Sequence, residues 1–349
     1  MRAATLLWLL QLGCADLVPR VVIVTTFPPE FARWKRLLPL DEELPFPGGG
    51  GSTSLWWNSE LHVLGMVTGM TSKNAAMSVT ALGHDQRFDL KKAVWLLAGI
   101  AGADPEAGTV GGAVWARSLV DGTAVKFLDP REMPPAWPTG WLPQHRAAPY
   151  GQPLPSEAER QQMVVSLNPR LVQWAYKLTQ SIQLPDSEAL QHLREQYHHL
   201  PAAQSAPAIS LGATLSTDVF WTGSFSASWA RNWTTYWAGG RGTEGVPQFA
   251  ASAMEDFATA QALAALQRLG RSRGPEALLV LRSTSNFVEP PPGRSPEPNM
   301  DFFLEVACEA AFLVGEPVVK ALVRHLASQP LKWWRRPLTP ASSFVPAEK

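Results

Sequence analysis

Short runs of consecutive apolar and β-branched residues alternate with helical patterns along most of this chain. Residues 20–26 read RVVIVTT, which is typical of a short strand buried on both faces of a sheet. Similar strands are predicted at residues 61–68, 93–98, 208–214, 248–254 and 277–283, with strand material around a turn at 110–125. Helices are predicted at residues 29–38, 72–83, 157–179, 187–199, 255–269 and 300–327. This alternation predicts an α/β fold with a mixed central sheet flanked by helices.

Three segments interrupt the alternation and are predicted to be loops. Residues 45–54 contain four consecutive glycines and predict a flexible loop, residues 130–155 are rich in proline, and residues 289–298 contain five prolines. None of them is a linker long enough to separate two independent domains. With 349 residues and 46% hydrophobic content, the chain has ample apolar side chains for one large domain, which we place at residues 17–349.

The N-terminal residues follow the pattern of a signal peptide. Arg2 precedes an apolar run at residues 3–12, and the small residues Gly13, Cys14 and Ala15 follow. The run is too short to span a bilayer. We expect residues 1–16 to be a signal peptide and the protein to be exported to the periplasm, cell surface or medium. Lipid attachment at Cys14 and a misassigned chain start are the alternatives.

Several classes of chemistry find no support in the sequence. Lysine plus arginine number 30 and aspartate plus glutamate number 30, so the net charge is zero. This balance gives no electrostatic reason to expect binding to nucleic acid or to an acidic membrane surface. The seven histidines form no His-Glu-x-x-His motif, so we expect no metal site and no cofactor. Cys308 lies in a helical apolar pattern and is expected to be an inert core thiol.

Two short segments carry residues that suit a nucleoside. Residues 252–256 read SAMED, and residues 281–286 read LRSTSN. The carboxylate of Glu255 has two oxygens that can accept hydrogen bonds from a sugar diol, and the amide of Asn286 can recognise a base edge. Each residue has an ordinary alternative, because Glu255 fits the first turn of a helix and Asn286 fits a turn. The residues at 216–218, Ser-Thr-Asp, predict a cap for the helix that follows them.

These segments, in this order, resemble the nucleoside phosphorylase superfamily and, within it, the purine nucleoside permease family. The resemblance extends over roughly residues 19–326. It rests on WLLAGIAGA at 95–103, GTVGGAVWA at 108–116, TGMTSKNAAMSVT at 68–80, LGATLSTDVF at 211–220, and the two segments above. It implies a nucleoside phosphorylase-like fold and a purine nucleoside ligand. Superfamily members are commonly oligomeric, so a homo-oligomer is also implied.

The resemblance assigns the sugar to two residues and the activation of water to a third. Glu255 would accept hydrogen bonds from both ribose hydroxyls, and Met254 would pack on the sugar face. Glu30 lies about where hydrolase members place an acid that activates water, so it is a candidate catalytic residue.

The purine would contact five further residues. Phe220 would stack on the base, and Ile100 and Ala101 would line the wall beside the base or the sugar. Ser285 would orient Asn286, which would face the purine edge near N7 and the 6-substituent and is the second candidate catalytic residue.

Departures from the family pattern bear on catalysis and on phosphate. Asn286 stands where enzymes that cleave 6-aminopurine nucleosides carry aspartate, and an amide cannot act as a general acid. Leucine and alanine at residues 96–98 replace the usual arginine, and Arg117 lies further along the chain. Asp256 replaces a small residue and is expected to crowd or repel a second anion. Phosphate is therefore weakly supported as a co-ligand.

Two functions follow. The first is a purine nucleoside binding protein that serves uptake and hands its ligand to a membrane transporter. The alternative is an N-glycosidic enzyme, a hydrolase or phosphorylase, that cleaves 6-oxopurine nucleosides.

Overall fold

A computed structural model of the protein describes residues 17–239, 248–296 and 302–328. The predicted signal peptide at residues 1–16, with Cys14, lies outside the described residues. The strands of the main sheet are β1 Val21–Thr25, β2 Glu42–Pro45, β3 Ser54–Asn58, β4 Val63–Val67, β5 Val94–Ala103, β6 Ala113–Asp121, β9 Val164–Ser166, β10 Ile209–Ser216, β11 Phe249–Ala253 and β12 Leu278–Phe287. Two short strands, β7 Val125–Phe127 and β8 Trp141–Pro143, form a separate hairpin.

Helices surround this sheet. In the described residues they are α1 Pro28–Leu37, α2 Ser72–His84, α3 Glu157–Met163, α4 Pro169–Thr179, α5 Glu188–Glu195, α6 Pro201–Gln204, α7 Ser224–Ala238, α8 Asp256–Arg268 and α9 Leu304–Ser328. None of these helices is both long and apolar enough to cross a membrane. The prediction of a mixed α/β sheet flanked by helices is confirmed.

The sheet curls back on itself at one side. Its strand order is β11-β10-β6-β12-β5-β1-β4-β3-β2, and β9 pairs with β6 outside this path. β11 pairs in parallel with β10 and antiparallel with β5, so five strands close a circuit. The pairs β1–β4, β1–β5 and β5–β12 are parallel, so the carboxyl ends of β1, β4, β5 and β12 lie on the same side. β6 and β10 are parallel to each other, but β6 pairs antiparallel with β12, so these two strands run in the opposite direction.

The core fills both faces of the parallel strands, which explains their uninterrupted apolar sequences. α9 packs on β5 and β12, and α2 packs along α8. Gly83 permits the α2–α8 contact, because a Cβ at this position would lie 2.3 Å from side-chain atoms of Leu266. Cys308 is buried on α9, and burial raises the pKa of its thiol to about 12, which agrees with an inert core residue.

Some predicted helices are shorter than expected. The helix predicted at 157–179 is two helices separated by β9, since Asn168 caps a new helix whose first residue is Pro169. The helix predicted at 187–199 ends at Glu195 and is followed by turns, with His199 at a φ of 68°.

The sequence reasoning also missed the edge strand β2 and its neighbour β3. They flank the four glycines of the predicted loop at 45–54, and this turn is packed against α2, where the Gly50 N–H donates to Ser78 Oγ at 2.7 Å.

Candidate functional site

The strand register brings the two predicted nucleoside segments to the same place. Asn286 on β12 pairs with Gly102 on β5, and Gly102 also pairs with Ser252 on β11. Glu255 follows Ser252 by three residues and is the N-cap of α8. The two segments are about thirty residues apart in sequence, but both lie next to Gly102 of β5 in the sheet.

A cavity of about 290 Å³ opens at this point, close to the lower end of the range for small-molecule sites. All eight residues that the sequence singled out line it. They are Glu30, Ile100, Ala101, Phe220, Met254, Glu255, Ser285 and Asn286. The structure thus brings the predicted residues together, while their roles in binding or catalysis stay predictions.

Glu255 is held by two donors from different elements. Its Oε1 accepts a hydrogen bond from the Thr71 backbone N–H at 3.0 Å, and its Oε2 accepts one from Arg282 Nη2 at 2.8 Å. The side chain is 3% exposed, so its rotamer is fixed by these contacts. Each carboxylate oxygen keeps a second lone pair, so the group retains acceptor capacity for a ligand diol.

Arg282 is the central cation of the site, and the sequence reasoning did not single it out. Its guanidinium donates to Glu255, to Asp256 Oδ1 from both Nε and Nη2, and to the Ile100 carbonyl at 3.0 Å from Nη1. Burial opposes its charge, but Asp256, Glu255 and Glu30 outweigh that effect and raise its pKa. A charged residue inside the apolar run LLVLRS was the available signal, because a buried arginine requires partners.

Glu30 is a second buried carboxylate in the cavity wall. It accepts hydrogen bonds from the Thr26 N–H, the Thr26 hydroxyl and the Ile100 N–H, at 2.6, 2.8 and 2.7 Å. Burial raises the pKa of Glu30 above its ordinary value, and the nearby Arg282 opposes this increase. Gly99 makes the arrangement possible, since a Cβ there would lie 2.6 Å from both Glu30 Oε1 and Arg282 Nη1.

Asp256 corrects the expectation that its side chain would crowd a second anion, while its charge still adds to the negative charge around the cavity. It was expected to crowd or repel a second anion in the site. Its side chain is fully buried, is directed to Arg282 at 2.5 and 2.8 Å, and is not among the residues that line the cavity. Asp256 therefore neutralises the arginine from behind the cavity wall.

Asn286 and Ser285 form the other candidate recognition pair. The Ser285 hydroxyl donates to Asn286 Oδ1 at 3.0 Å, and Asn286 Nδ2 donates to the Phe287 carbonyl at 3.1 Å. These bonds fix the amide and leave one N–H and one oxygen lone pair of Asn286 for a ligand. Asn286 is buried, yet it lines the cavity.

Apolar side chains form the mouth of the cavity. Phe220 is 59% exposed, and its ring centroid lies 5.9 Å from that of Phe302. Met70 and Val219 are also exposed here, while Met254 is half-buried in the wall. Phe220 therefore lies at the rim, where a ligand face would cover it.

The segment at 216–218 caps two helices, but neither is the one predicted. The Ser216 hydroxyl accepts from the Phe257 N–H of α8 at 3.0 Å. Asp218 accepts from the Ser72 N–H and hydroxyl at the start of α2, at 2.7 and 2.6 Å. The next helix along the chain, α7, begins only after Gly223 at a φ of 121°. The local capping prediction was wrong, because the partners come from distant elements.

Cations for an anionic co-ligand are scarce around the cavity. Of the described residues that line it, Arg282 alone has a cationic side chain, and three carboxylates surround that group. Arg117 is exposed on β6 and does not line the cavity.

The chain matches known proteins over most of its length. The model of the purine nucleoside permease (NUP) family matches residues 18–329. A purine nucleoside permease of Candida albicans is 24% identical over 320 residues, which cover 88% of this chain and 75% of that protein. A probable purine nucleoside permease of Schizosaccharomyces pombe is 26% identical over 277 residues, covering 77% of this chain and 78% of that one.

Solved structures support the same assignment at the level of the fold. A 5′-methylthioadenosine/S-adenosylhomocysteine nucleosidase from Neisseria meningitidis has a TM-score of 0.52 at 15% identity and covers 86% of this chain and 98% of its own. The futalosine hydrolase of Helicobacter pylori has a TM-score of 0.52 at 16% identity, covering 88% and 98%. These similarities confirm the nucleoside phosphorylase-like fold. The family model, which matches residues 18–329, shows that the chain belongs to the purine nucleoside permease family.

Proposed function

We propose that the protein binds purine nucleosides in the cavity formed by β5, β11 and β12, and that this binding serves nucleoside uptake. The convergence of Glu255 and Asn286 on one cavity carries the proposal. The first group suits a sugar diol and the second a purine edge. The family match and the named permeases support nucleosides as the ligand class and uptake as the process.

The ribose end of the ligand would lie against Glu255 and Met254. An ionised carboxylate can accept two hydrogen bonds from a vicinal diol, and its charge makes these hydrogen bonds stronger than those to a neutral acceptor. Arg282 and the Thr71 N–H hold this carboxylate in one orientation, so little conformational entropy is lost when the ligand binds. Met254 supplies a polarisable apolar surface for the sugar face.

The base would lie against Asn286, Ile100 and Ala101 and would be covered by Phe220. The free N–H of Asn286 is a donor for N7 or for a 6-oxo group, both of which are acceptors. Phe220 and Phe302 at the rim offer aromatic faces for stacking. A 6-oxo group would use this N–H, whereas a 6-amino group would use the one oxygen lone pair that Asn286 keeps for a ligand.

The charge of the site favours a neutral ligand. Arg282 is surrounded by Glu30, Glu255 and Asp256, so the group of four carries excess negative charge when the acids are ionised. Phosphate would have to approach this group without a free cation to receive it. Nucleosides without a phosphate group fit this environment better than nucleotides do.

Export would place the protein where nucleosides arrive. The predicted signal peptide at residues 1–16 supports an exported protein, and a membrane transporter would then be the partner that receives the ligand. Both statements are part of the proposal, together with a homo-oligomer.

A second function is favoured by one specific observation, the buried Glu30 next to Arg282. A carboxyl with a raised pKa in a cavity wall suits a general base. In this function Glu30 takes a proton from water as the water oxygen bonds to C1′ of the ribose. The C1′–N9 bond breaks, and the purine leaves as the free base after protonation from solvent. Asn286 would stabilise the leaving base by a hydrogen bond but would not protonate it.

One set of measurements separates these functions. The purified protein is titrated with inosine, guanosine and adenosine by calorimetry, and each mixture is then assayed for free base over hours, with and without phosphate. Saturable binding without base release supports the binding protein. Release without phosphate that is abolished by Glu30→Gln supports the hydrolase, release that requires phosphate supports a phosphorylase, and the absence of nucleoside binding contradicts the proposal.

A further inference from the structure

The Thr71 backbone, which supplies one of the two donors to Glu255, is strained. Its φ is 81° and its ψ is 157°, a combination that glycine adopts readily and a β-branched residue does not. A conformation of this kind persists only when the surrounding structure holds it in place. The elements that hold the Thr71 turn therefore belong to what positions Glu255.

The glycine turn between β2 and β3 packs closely against Thr68 and Gly69, which precede Thr71. A Cβ on Gly51 would lie 2.0 Å from the Gly69 nitrogen and 2.5 Å from its Cα, and a Cβ on Gly50 would lie 2.8 Å from the Thr68 carbonyl oxygen. Gly69 itself has a φ of 85° and stands two residues before Thr71. The two backbones thus meet at a separation that only glycine permits.

Hydrogen bonds lock the same contact. The Gly50 N–H donates to Ser78 Oγ at 2.7 Å, and the Ser78 hydroxyl donates to the Thr68 carbonyl at 2.9 Å. Ser78 is fully buried on α2, so it joins the glycine turn, the end of β4 and the helix in one rigid unit. From this unit the chain passes through Met70, which lines the cavity, to Thr71.

We propose that Gly50 and Gly51 are positioning residues for ribose recognition: their contact with Thr68 and Gly69 fixes the Thr71 N–H that orients the Glu255 carboxylate. The inference rests on the proposed function and deepens it. The glycine turn faces solvent and does not line the cavity. It would nevertheless control the affinity for the ribose hydroxyls, and it would not affect the affinity for the base.

Gly51→Ala tests this directly, because the added methyl must displace Gly69. Affinity is measured by calorimetry for inosine and for 2′,3′-dideoxyinosine, which lacks both hydroxyls that Glu255 would receive. We expect inosine affinity to fall about tenfold in the variant, the effect of losing one well-placed polar contact. The weaker affinity for dideoxyinosine should stay within about twofold, since that ligand gains nothing from Glu255.

Gly140→Ala is the matched control. A Cβ at Gly140 would lie 2.1 Å from the Leu128 carbonyl oxygen, a similar backbone clash at residues that do not line the cavity. We expect it to lower thermal stability while the ratio of the two affinities stays that of the wild type. Ser78→Ala is the second variant, used where Gly51→Ala fails to fold, and it should reduce inosine affinity in the same direction by a smaller factor.

The outcomes are distinct. Equal losses for the two ligands, or no loss for inosine, would overturn the positioning role while leaving nucleoside binding in place. A wild-type protein that binds inosine no better than dideoxyinosine would overturn the role of Glu255 itself, and with it both this inference and the ribose part of the proposed function.

Discussion

Arg282 Nη2 lies 2.8 Å from Glu255 Oε2, and both side chains are almost completely buried at the inner end of the cavity. The arginine comes from the middle of β12 and the glutamate from the start of α8, so the ion pair joins the sheet to the helix that carries the ribose element. A buried pair of this kind contributes modestly as a pair, but it becomes costly when one partner is removed. The stability of the fold and the proposed recognition of ribose therefore depend on the same contact.

Replacing Arg282 with methionine should destabilise the fold strongly. Glu30, Glu255 and Asp256 would then be buried near one another without a counter-charge. Loss of one partner of a buried ion pair costs about 3–5 kcal/mol in the free energy of unfolding. Urea unfolding followed by circular dichroism measures this value. Arg131→Met is the control, because Arg131 pairs with Asp129 at the surface, and its stability should match that of the wild type.

Replacing Glu255 with alanine should abolish nucleoside binding while the protein stays folded. The substitution removes both acceptor oxygens, and glutamine at the same position keeps only one of them. We expect no detectable inosine binding for Glu255→Ala and at least a tenfold loss for Glu255→Gln, equivalent to about 1.4 kcal/mol. Calorimetry measures both. Glu60→Gln, at an exposed turn, is the control, and inosine affinity that survives in Glu255→Ala would place the ribose elsewhere.

Much of this architecture follows from patterns that a single sequence carries. The apolar runs of β1, β4, β5 and β12 predict buried parallel strands because both faces of these strands are covered. The site residues could be named because short segments in a fixed order resemble a known family, and the structure brings these segments to one cavity.

What sequence reasoning missed depends on tertiary partners. Asp218 follows the local rule for a helix cap, but its partner is Ser72, 146 residues away in sequence. The roles of Arg282 and Asp256 become visible only together, since each compensates the buried charge of the other. The glycines of the β2–β3 turn are typical of a flexible loop, and only their tertiary contact shows why glycine is required, since a Cβ on Gly51 would lie 2.0 Å from the Gly69 nitrogen.

The raised pKa of Glu30 predicts a specific dependence of stability on pH. The pKa of Glu30 in the folded state lies above its ordinary value of 4.5, which applies to the unfolded state. At pH values between these two pKa values, the folded state therefore binds more protons than the unfolded state. Ionisation of Glu30 therefore lowers stability as pH rises through this interval, by at most about 1.4 kcal/mol per pH unit.

Glu30→Gln removes this contribution. The stability of the variant relative to the wild type should increase as pH rises above 4.5 and then level off once Glu30 is ionised in the folded wild type. Urea unfolding at intervals from pH 4.5 to neutrality measures the difference. A difference that does not change with pH would show that the Glu30 pKa is not raised.

Asn286→Asp should change the preferred base. An ionised aspartate only accepts hydrogen bonds, so it loses the donor for a 6-oxo group and gains an acceptor for a 6-amino group. We expect the ratio of inosine to adenosine affinity to fall about tenfold, within the range for one polar contact to a base edge. Competition calorimetry gives this ratio. Asn232→Asp, on the exposed face of α7, should leave it unchanged, and an unchanged ratio for Asn286→Asp would remove Asn286 from the base site.

Phe220→Ala should weaken nucleoside binding through loss of stacking at the rim. Phe220 lines the cavity mouth and pairs with Phe302, whereas Phe225, five residues later, is 85% exposed and does not line the cavity. An aromatic pair contributes about 0.5–1.5 kcal/mol beyond its buried area, which corresponds to a loss of roughly two- to tenfold in inosine affinity. Phe225→Ala is the matched control, because it removes an equally large exposed ring without touching the mouth. Equal affinities for the two variants would mean that the base does not reach Phe220, and the ligand would then lie deeper, against Ile100 and Ala101 alone.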